Sequence, residues 1–244
     1  MLFFLRKIRK QLLSEYNFGK YLLYALGEIV LVVVGIVIAV QLGNWNQSKN
    51  DRKKELSYLQ SYTNDLNANI TELDRVIAKS IYMQQISDTL IRRFVRGVLV
   101  PQPELDSMIY ELIGYTLYLS KEGTTENLLG AGSLEIIQNV RVRESFVTQE
   151  ADQKRLRETE KGIYESFSEL LLYLKQHTNL YNYQLGKPMI DVPTQVKLSA
   201  DRYFKNLLDD ISIKCANAQR LYRKRKEELE ELLEVVEEEV EKLR

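Results

Sequence analysis

The sequence has very little of the residue types that build disulfide frameworks, zinc sites and turn-rich folds. Its 244 residues include one cysteine, Cys215, and one histidine, His177. An intrachain disulfide is therefore impossible, and a zinc site made of cysteine and histidine is close to excluded. The 4 prolines fall in two places and the 11 glycines are scattered. So few breaks favour long helices over many short strands.

Net charge is absent as well, because 34 basic side chains balance 34 acidic ones. The total charge therefore gives no indication of a nucleic-acid partner. The charge is unevenly distributed, however. Four bases lie near the start, namely Arg6, Lys7, Arg9 and Lys10, and an acidic stretch begins at Glu227. The C-terminal stretch is either a solvated helix face with Glu–Lys pairs or a tail helix that pairs with another chain.

The longest apolar run is Tyr21–Leu42, which reads YLLYALGEIVLVVVGIVIAVQL. As a helix it spans roughly 30 Å, the thickness of a bilayer's hydrocarbon core. Tyr21 and Tyr24 at one end and Trp45 at the other suit the headgroup regions. Ile29–Val40 is apolar on every face, and no A-x-A-type cleavage site follows it. We predict a retained transmembrane helix, rather than a buried core helix or a cleaved signal peptide.

The flanks of this run predict its orientation. Basic residues are slightly more numerous before the run than after it, which places the N-terminus inside and the bulk of the chain outside. The N-terminal bases lie either on an amphipathic helix at an anionic leaflet or in an ordinary cytoplasmic flank. We predict a basic flank over 1–20, a transmembrane anchor over 21–45 and an extracytoplasmic helical domain over 46–244. Trp45 and the four bases are the predicted interfacial anchors.

Small residues mark one face of the predicted anchor. Gly27, Gly35 and Ala39 recur at spacings of eight and four residues, and Gly35-x-x-x-Ala39 is a small-xxx-small pair of the kind that lets helices approach closely. Glu28 beside them lies roughly 10 Å into the span, where a carboxylate indicates a partner or a proton site. We predict that Gly27, Glu28, Gly35 and Ala39 mediate lateral helix association, with proton conduction as the alternative.

The opening RKIRKQLLSEYNFGKYLLYALGEIVLVVVGIVIAVQLGNWN resembles a family of uncharacterised bacterial membrane proteins, a domain of unknown function. The resemblance rests on a basic amphipathic flank, a GEI-x-L anchor and a Q-x-x-NWN exit, and it continues through ENLLGAGSLEIIQNVRVRESF. It implies an anchor in the inner membrane with an exported helical domain. It implies no established activity, so no catalytic residue is carried over.

Beyond Trp45 the pattern predicts a helical bundle. No glycine or proline occurs before Gly97, and apolar residues recur there in steps of three and four. This first seam contains Leu56, Leu59, Thr63, Leu66, Ile70, Leu73 and Ile77, and it weakens near Ser80, which indicates a stutter or a change of partner. The last helix, Asp201–Arg244, carries a similar seam through Cys215. We predict an all-α fold: an N-terminal transmembrane helix, then an elongated bundle whose coiled-coil-like first and last helices pair parallel or antiparallel.

Shorter elements close the predicted bundle. We expect helices over Glu104–Ser120 and Arg141–Leu180, and Ser133 as the N-cap of a short helix. The polar stretch Gln149–Lys161 is expected to project beyond the packed region. Leu185–Leu198 holds two prolines and is the longest expected loop.

No catalytic or metal-binding arrangement emerges. We interpret His177 as capping helix carbonyls and Cys215 as a packing residue rather than a nucleophile. Glu-x-x-His spacing does not occur. We predict no cofactor, no metal and no enzymatic activity. The predicted function is that of a scaffold or accessory subunit of the bacterial inner membrane, with the lipid bilayer and a protein partner or second copy as its contacts. The alternative is an extracytoplasmic ligand-sensing bundle that signals through a partner.

Overall fold

The structure is a computed structural model, and it describes residues 18–244 without the side chains of Phe18, Lys20, Tyr21, Tyr24 and Glu150. These residues are helical with short connections, and no strand occurs among them. Six α-helices follow one another: α1 Phe18–Val95, α2 Gln102–Ile113, α3 Gly123–Gly130, α4 Val140–His177, α5 Val192–Ala200 and α6 Arg202–Leu243. Two 3₁₀ turns, Leu134–Ile136 and Leu180–Leu185, precede α4 and α5. The prediction of an all-α fold is confirmed.

The chain divides into two compact units, Met1–Lys54 and Glu55–Arg244. The described part of the first unit is a single helical stretch. The second unit is a helical bundle with one continuous hydrophobic core. This division does not distinguish lipid from water, so the predicted segments 1–20, 21–45 and 46–244 stay a prediction.

Three long helices form the bundle of the second unit. The Tyr62 and Phe146 rings, whose centroids are 4.2 Å apart, join α1 to α4. On α6, Ser212 donates a hydrogen bond to Asp88 on α1 at 2.6 Å, and Lys226 pairs with Asp74 at 2.7 Å. Sequence position on α6 therefore rises as position on α1 falls. The two helices run antiparallel, which resolves an orientation that the seams alone left open.

The buried residues of α1 recur at alternating steps of four and three residues, and they keep this spacing over a longer stretch than the apolar residues alone do. The buried positions at this spacing are Glu55, Leu59, Tyr62, Leu66, Asn69, Leu73, Val76, Ser80, Met83, Ser87, Leu90 and Phe94, and Ile86 is buried beside Ser87. The seam becomes more polar near Ser80 as predicted, with Ser80 and Ser87 buried on it, but the spacing continues without the stutter that the pattern indicated. The half-buried Leu56, Thr63 and Ile70 flank the seam instead of forming it.

Helix α2 ends at Ile113, earlier than predicted, and residues 114–122 are not helical. The backbone of this segment is held by polar side chains of the long helices. Lys121 donates its N–H to the Asn69 side chain at 2.7 Å, and its carbonyl accepts from the same amide at 3.0 Å. Such pairing replaces the hydrogen bonds that a helix would have supplied.

The predicted cap and the predicted long loop are also wrong in detail. Ser133 makes no capping hydrogen bond, whereas the Asn139 side chain accepts from the Val142 N–H at 3.1 Å at the start of α4. Leu185–Leu198 contains the first part of α5, because Asp191 caps that helix and Pro193 lies in its first turn. Proline is tolerated there, since first-turn N–H groups lack helical partners.

Candidate functional site

The apolar segment of α1 is the first feature with functional consequences. The helix carries a window of 18 residues near its N-terminal end that is long and apolar enough to cross a membrane, and none of that window is buried. Leu31 is 74% exposed and Ile29 63% exposed. Apolar surface of this extent is unfavourable in water.

The residues predicted for lateral association all lie on this exposed helix. Gly27, Glu28, Gly35 and Ala39 are exposed, and a Cβ added at either glycine would meet no atom within 4 Å. None of the residues that the structure describes therefore packs against these two glycines. Their role in association stays a prediction.

The predicted interfacial anchors divide between the described and undescribed parts of the chain. Arg6, Lys7, Arg9 and Lys10 lie outside the described residues. Trp45 is 66% exposed, and the Lys49 ammonium lies 5.6 Å from the centre of its ring, within the range of a cation–π contact.

A buried polar layer crosses the bundle and is the second feature. The prediction that the stretch Gln149–Lys161 projects beyond the packed region is wrong. The buried positions of this stretch are Gln149, Gln153, Leu156 and Glu160, which continue the four-three spacing of α4 between Phe146 and Ile163. The regular spacing was the signal that could have located this layer. The polarity of Gln149, Gln153 and Glu160 led to the prediction of an exposed stretch, because buried polar side chains are uncommon unless they are hydrogen-bonded.

Glu160 is the centre of this layer. It is 4% exposed, and its Oε1 accepts from the Tyr222 hydroxyl at 2.6 Å and from the Tyr118 N–H at 3.0 Å. Burial raises the pKa of the Glu160 carboxyl above its ordinary value, and the two hydrogen bonds act in the opposite direction. The carboxyl thereby joins α4, α6 and the segment that follows α2.

The groups around Glu160 extend the layer. Burial raises the pKa of both the Tyr118 and Tyr222 phenols. The Tyr118 hydroxyl lies beside Gln153 without a hydrogen bond of normal geometry. The Arg225 guanidinium pairs with Asp152 at 3.4 Å and Glu228 at 3.1 Å. The Gln153 amide and the charge of the Arg225 guanidinium thus act on the Tyr118 phenol, whose backbone N–H donates to Glu160.

An open cleft of about 610 Å³ lies against the same part of α4. Its wall includes the buried pair Thr125 and Gln149, whose side chains form a 2.6 Å hydrogen bond. Besides Leu129 and Gln153, three bases and three acids line the rest: Lys154, Arg157, Lys161, Glu122, Glu126 and Glu158. The mixture of charges suits a polar or zwitterionic molecule better than an apolar one.

His177 and Cys215 are the remaining candidate catalytic groups, and their surroundings are typical of residues with a structural role. The Nδ1 atom of His177 lies 2.8 Å from the Tyr173 carbonyl in the last turn of α4, which agrees with a capping role. Cys215 is 2% exposed within the seam of α6, and burial raises the pKa of its thiol to about 12. A thiol so protonated is a poor nucleophile. Among residues 18–244, no group of three or more candidate metal ligands occurs.

Comparison with known proteins adds one match. A family of unknown function (DUF6090) matches residues 28–90, which include most of the apolar segment and most of the rest of α1. No curated protein and no solved structure matches the chain. The likeness to an uncharacterised family is confirmed in that form. The membrane nature of that family and the two sequence motifs stay predictions.

Proposed function

We propose that the chain is a single-pass protein of the bacterial inner membrane that acts through protein–protein contacts as a scaffold or accessory subunit. One observation carries the proposal: a helical segment apolar on every face is exposed throughout. A bilayer supplies the apolar surroundings that residues 18–244 do not, and the helical backbone satisfies its own hydrogen bonds there. The proposal assigns the chain no catalytic role.

Membrane fractionation of the full chain tests the anchor. The protein should remain with the membrane after washing at alkaline pH and should leave it only with detergent. Recovery of the intact chain in the aqueous fraction, or of a product trimmed after Trp45, would sink the proposal.

The proposed topology places the N-terminus inside and the helical domain outside, as the distribution of basic residues favours. A reporter that is active only outside the cytoplasm should be active when fused after Arg244. A reporter that is active only inside serves as the matched control, and activity of that second reporter alone would reverse the topology.

Lateral association through the small-residue face is the second part of the proposal. Gly35→Leu adds volume on that face without a clash among the described residues, because none of their neighbouring atoms lies within 4 Å of the added Cβ. We expect it to weaken self-association or partner binding in the membrane, measured by energy transfer between labelled copies or by pull-down in mild detergent. Val33→Leu, on the opposite face, is the control and should change neither.

Glu28 distinguishes association from proton conduction. Glu28→Gln keeps the shape of the side chain and removes its charge, so a hydrogen-bonding role in assembly should survive. Proton flux that the wild-type chain supports in reconstituted vesicles and that the variant abolishes would favour conduction instead.

A second candidate function is ligand sensing, and the cleft beside the buried polar layer favours it. Binding of a polar metabolite there should raise the unfolding temperature of the full chain, since a ligand that binds only the folded state stabilises it. Lys154→Glu at the cleft should reduce that shift. A stoichiometric protein partner recovered in mild detergent, with no metabolite response, supports the scaffold.

A further inference from the structure

The cleft beside the buried polar layer is a groove between α3 and α4. Its α3 wall is one face of that short helix, within residues 122–129, and its α4 wall is the face that lies within residues 149–161. The Thr125 hydroxyl donates to the side-chain carbonyl of Gln149 at 2.6 Å and joins the two walls at the floor. The volume of about 610 Å³ lies within the range of small-molecule sites. The groove therefore has two helical walls and a floor of hydrogen-bonding side chains.

The floor of the cleft has hydrogen-bonding groups to spare. Gln149 and Gln153 both line the cleft, and they are only 6% and 5% exposed. Among residues 18–244, neither amide N–H₂ group donates a hydrogen bond of normal geometry, and the buried Tyr118 hydroxyl beside Gln153 makes none either. Buried polar groups are normally hydrogen-bonded. Two buried amides that face a groove therefore point to a hydrogen-bonding occupant of that groove.

The charges that line the cleft balance, because three bases face three acids. Arg157 pairs with Glu122 across the groove at 3.8 Å, and Lys161 pairs with Glu165 at 3.9 Å. Within the described part of the chain, three charged side chains of the lining form no ion pair within 4 Å: Lys154, Glu126 and Glu158. They belong to both walls and to both signs. Such a lining favours a molecule that carries both charges over an anion or a cation.

We propose that the cleft binds a zwitterion with one ammonium and one carboxylate group, the chemistry of an amino acid or of a short peptide with free termini. The carboxylate of the ligand meets Lys154 on the α4 wall, and its ammonium meets Glu126 on the α3 wall. The amides of Gln149 and Gln153 bind its remaining polar groups. This ligand class rests on the ligand-sensing candidate function and narrows the polar metabolite of that function to zwitterions.

Thermal unfolding of the full chain in mild detergent tests the ligand class, because a ligand that binds the folded state raises the unfolding temperature. The probes are the common amino acids, one at a time, together with diglycine and triglycine, whose charged ends lie about 3.5 Å further apart with each added residue. We expect at least one probe to give a saturable rise. Acetylating its amine or amidating its carboxylate should each weaken binding about tenfold or more. No rise with any probe, or a rise that survives both modifications, would overturn the proposal.

Variants of the two walls test the position of the ligand. Lys154→Met and Glu126→Gln should each weaken binding of the responding probe about tenfold or more. Arg155→Met, at the next position of α4 but outside the cleft, is the matched control and should leave the affinity unchanged. All three side chains are exposed, so the unfolding temperature without ligand should stay close to that of the wild type. An affinity that neither wall variant changes would place the zwitterion elsewhere and refute the cleft.

Two further outcomes separate this ligand class from the sensing function. If a neutral sugar or a dicarboxylate raises the unfolding temperature instead, and Lys154→Met removes that rise, the zwitterion is wrong while ligand sensing stands. If a zwitterion binds with the predicted dependence on Lys154 and Glu126 but leaves the recovery of a protein partner unchanged, the ligand class is correct while sensing fails.

Discussion

Two stretches of the same helix α1 show how little hydrophobicity alone says about burial. Residues 29–40 are all apolar or small, yet Leu31 is 74% exposed. Further along, Asn69 is 4% exposed and Ser87 is fully buried. In the second stretch, side chains at alternating steps of four and three residues pack against other helices. In the first stretch, no described residue packs against the helix in this way. A side chain is buried by what packs on it, and its own polarity decides only what that burial costs.

The largest test of this comparison removes a core side chain from the bundle. Phe146 is fully buried against Tyr62. Phe146→Ala should lower the free energy of unfolding by roughly 3–5 kcal/mol, because it leaves a cavity. The measurement is denaturant unfolding in mild detergent, with circular dichroism as the signal. The neighbouring Val147 is 58% exposed, so Val147→Ala should change stability by less than about 0.5 kcal/mol. Leu31→Ala should leave the unfolding of the bundle unchanged.

The next effect comes from the buried carboxyl. Glu160→Ala leaves the Tyr222 hydroxyl and the Tyr118 N–H without their acceptor, at roughly 1–3 kcal/mol for each buried group. Glu160→Gln keeps an acceptor and should cost less. A smaller loss for alanine than for glutamine would contradict the assignment of these hydrogen bonds.

The same residue predicts a pH dependence with a definite sign. Its folded pKa is raised above the unfolded value, so the folded state holds the proton more tightly. Its contribution to stability is therefore greatest at acid pH and falls as pH rises from the unfolded pKa through the folded one. Asp201, whose pKa its hydrogen bond from Tyr173 lowers, contributes the opposite slope at lower pH. Subtracting the stability of Glu160→Gln from that of the wild type at each pH isolates the Glu160 slope, and a flat difference would refute it.

A helix cap should have a smaller effect. Asn139 caps α4 and also donates to Glu239 at 3.0 Å. Asn139→Ala should cost roughly 1 kcal/mol, measured by thermal unfolding, whereas Asn139→Ser retains a capping oxygen and should cost less. Equal losses for the two variants would show that the contact with Glu239, rather than the cap, is what matters.

The smallest effect should come from a surface ion pair. Lys226 and Asp74 join α6 to α1 at 2.7 Å, but the Asp74 side chain is 57% exposed. Solvent screens such pairs, so Lys226→Ala should change the unfolding temperature less than the cap substitution does. Added salt should shrink even that difference, and a loss as large as that of Glu160→Ala would mean that the pair is structurally central.

Much of the fold could be predicted from the sequence because its signals are local. The scarcity of breaks predicted the long helices, and the apolar run of α1 predicted its exposed segment. The seam of the last helix was correct at Leu208, Ile211, Cys215 and Ala218, all of which are buried. The polar layer could not be found in this way, because Gln153 and Glu160 lie in the core only through partners distant in sequence.

The sequence by itself determined where helices form and which segment is apolar on all sides, since propensity and periodicity act within a few residues. The tertiary structure decided that α6 runs antiparallel to α1, that α2 stops at Ile113, and that Glu160 is buried. Those outcomes depend on hydrogen bonds and packing between residues far apart along the chain, such as Asn69 with Lys121 and Glu160 with Tyr222. No local pattern specifies such a partner, because only the folded chain brings donor and acceptor together.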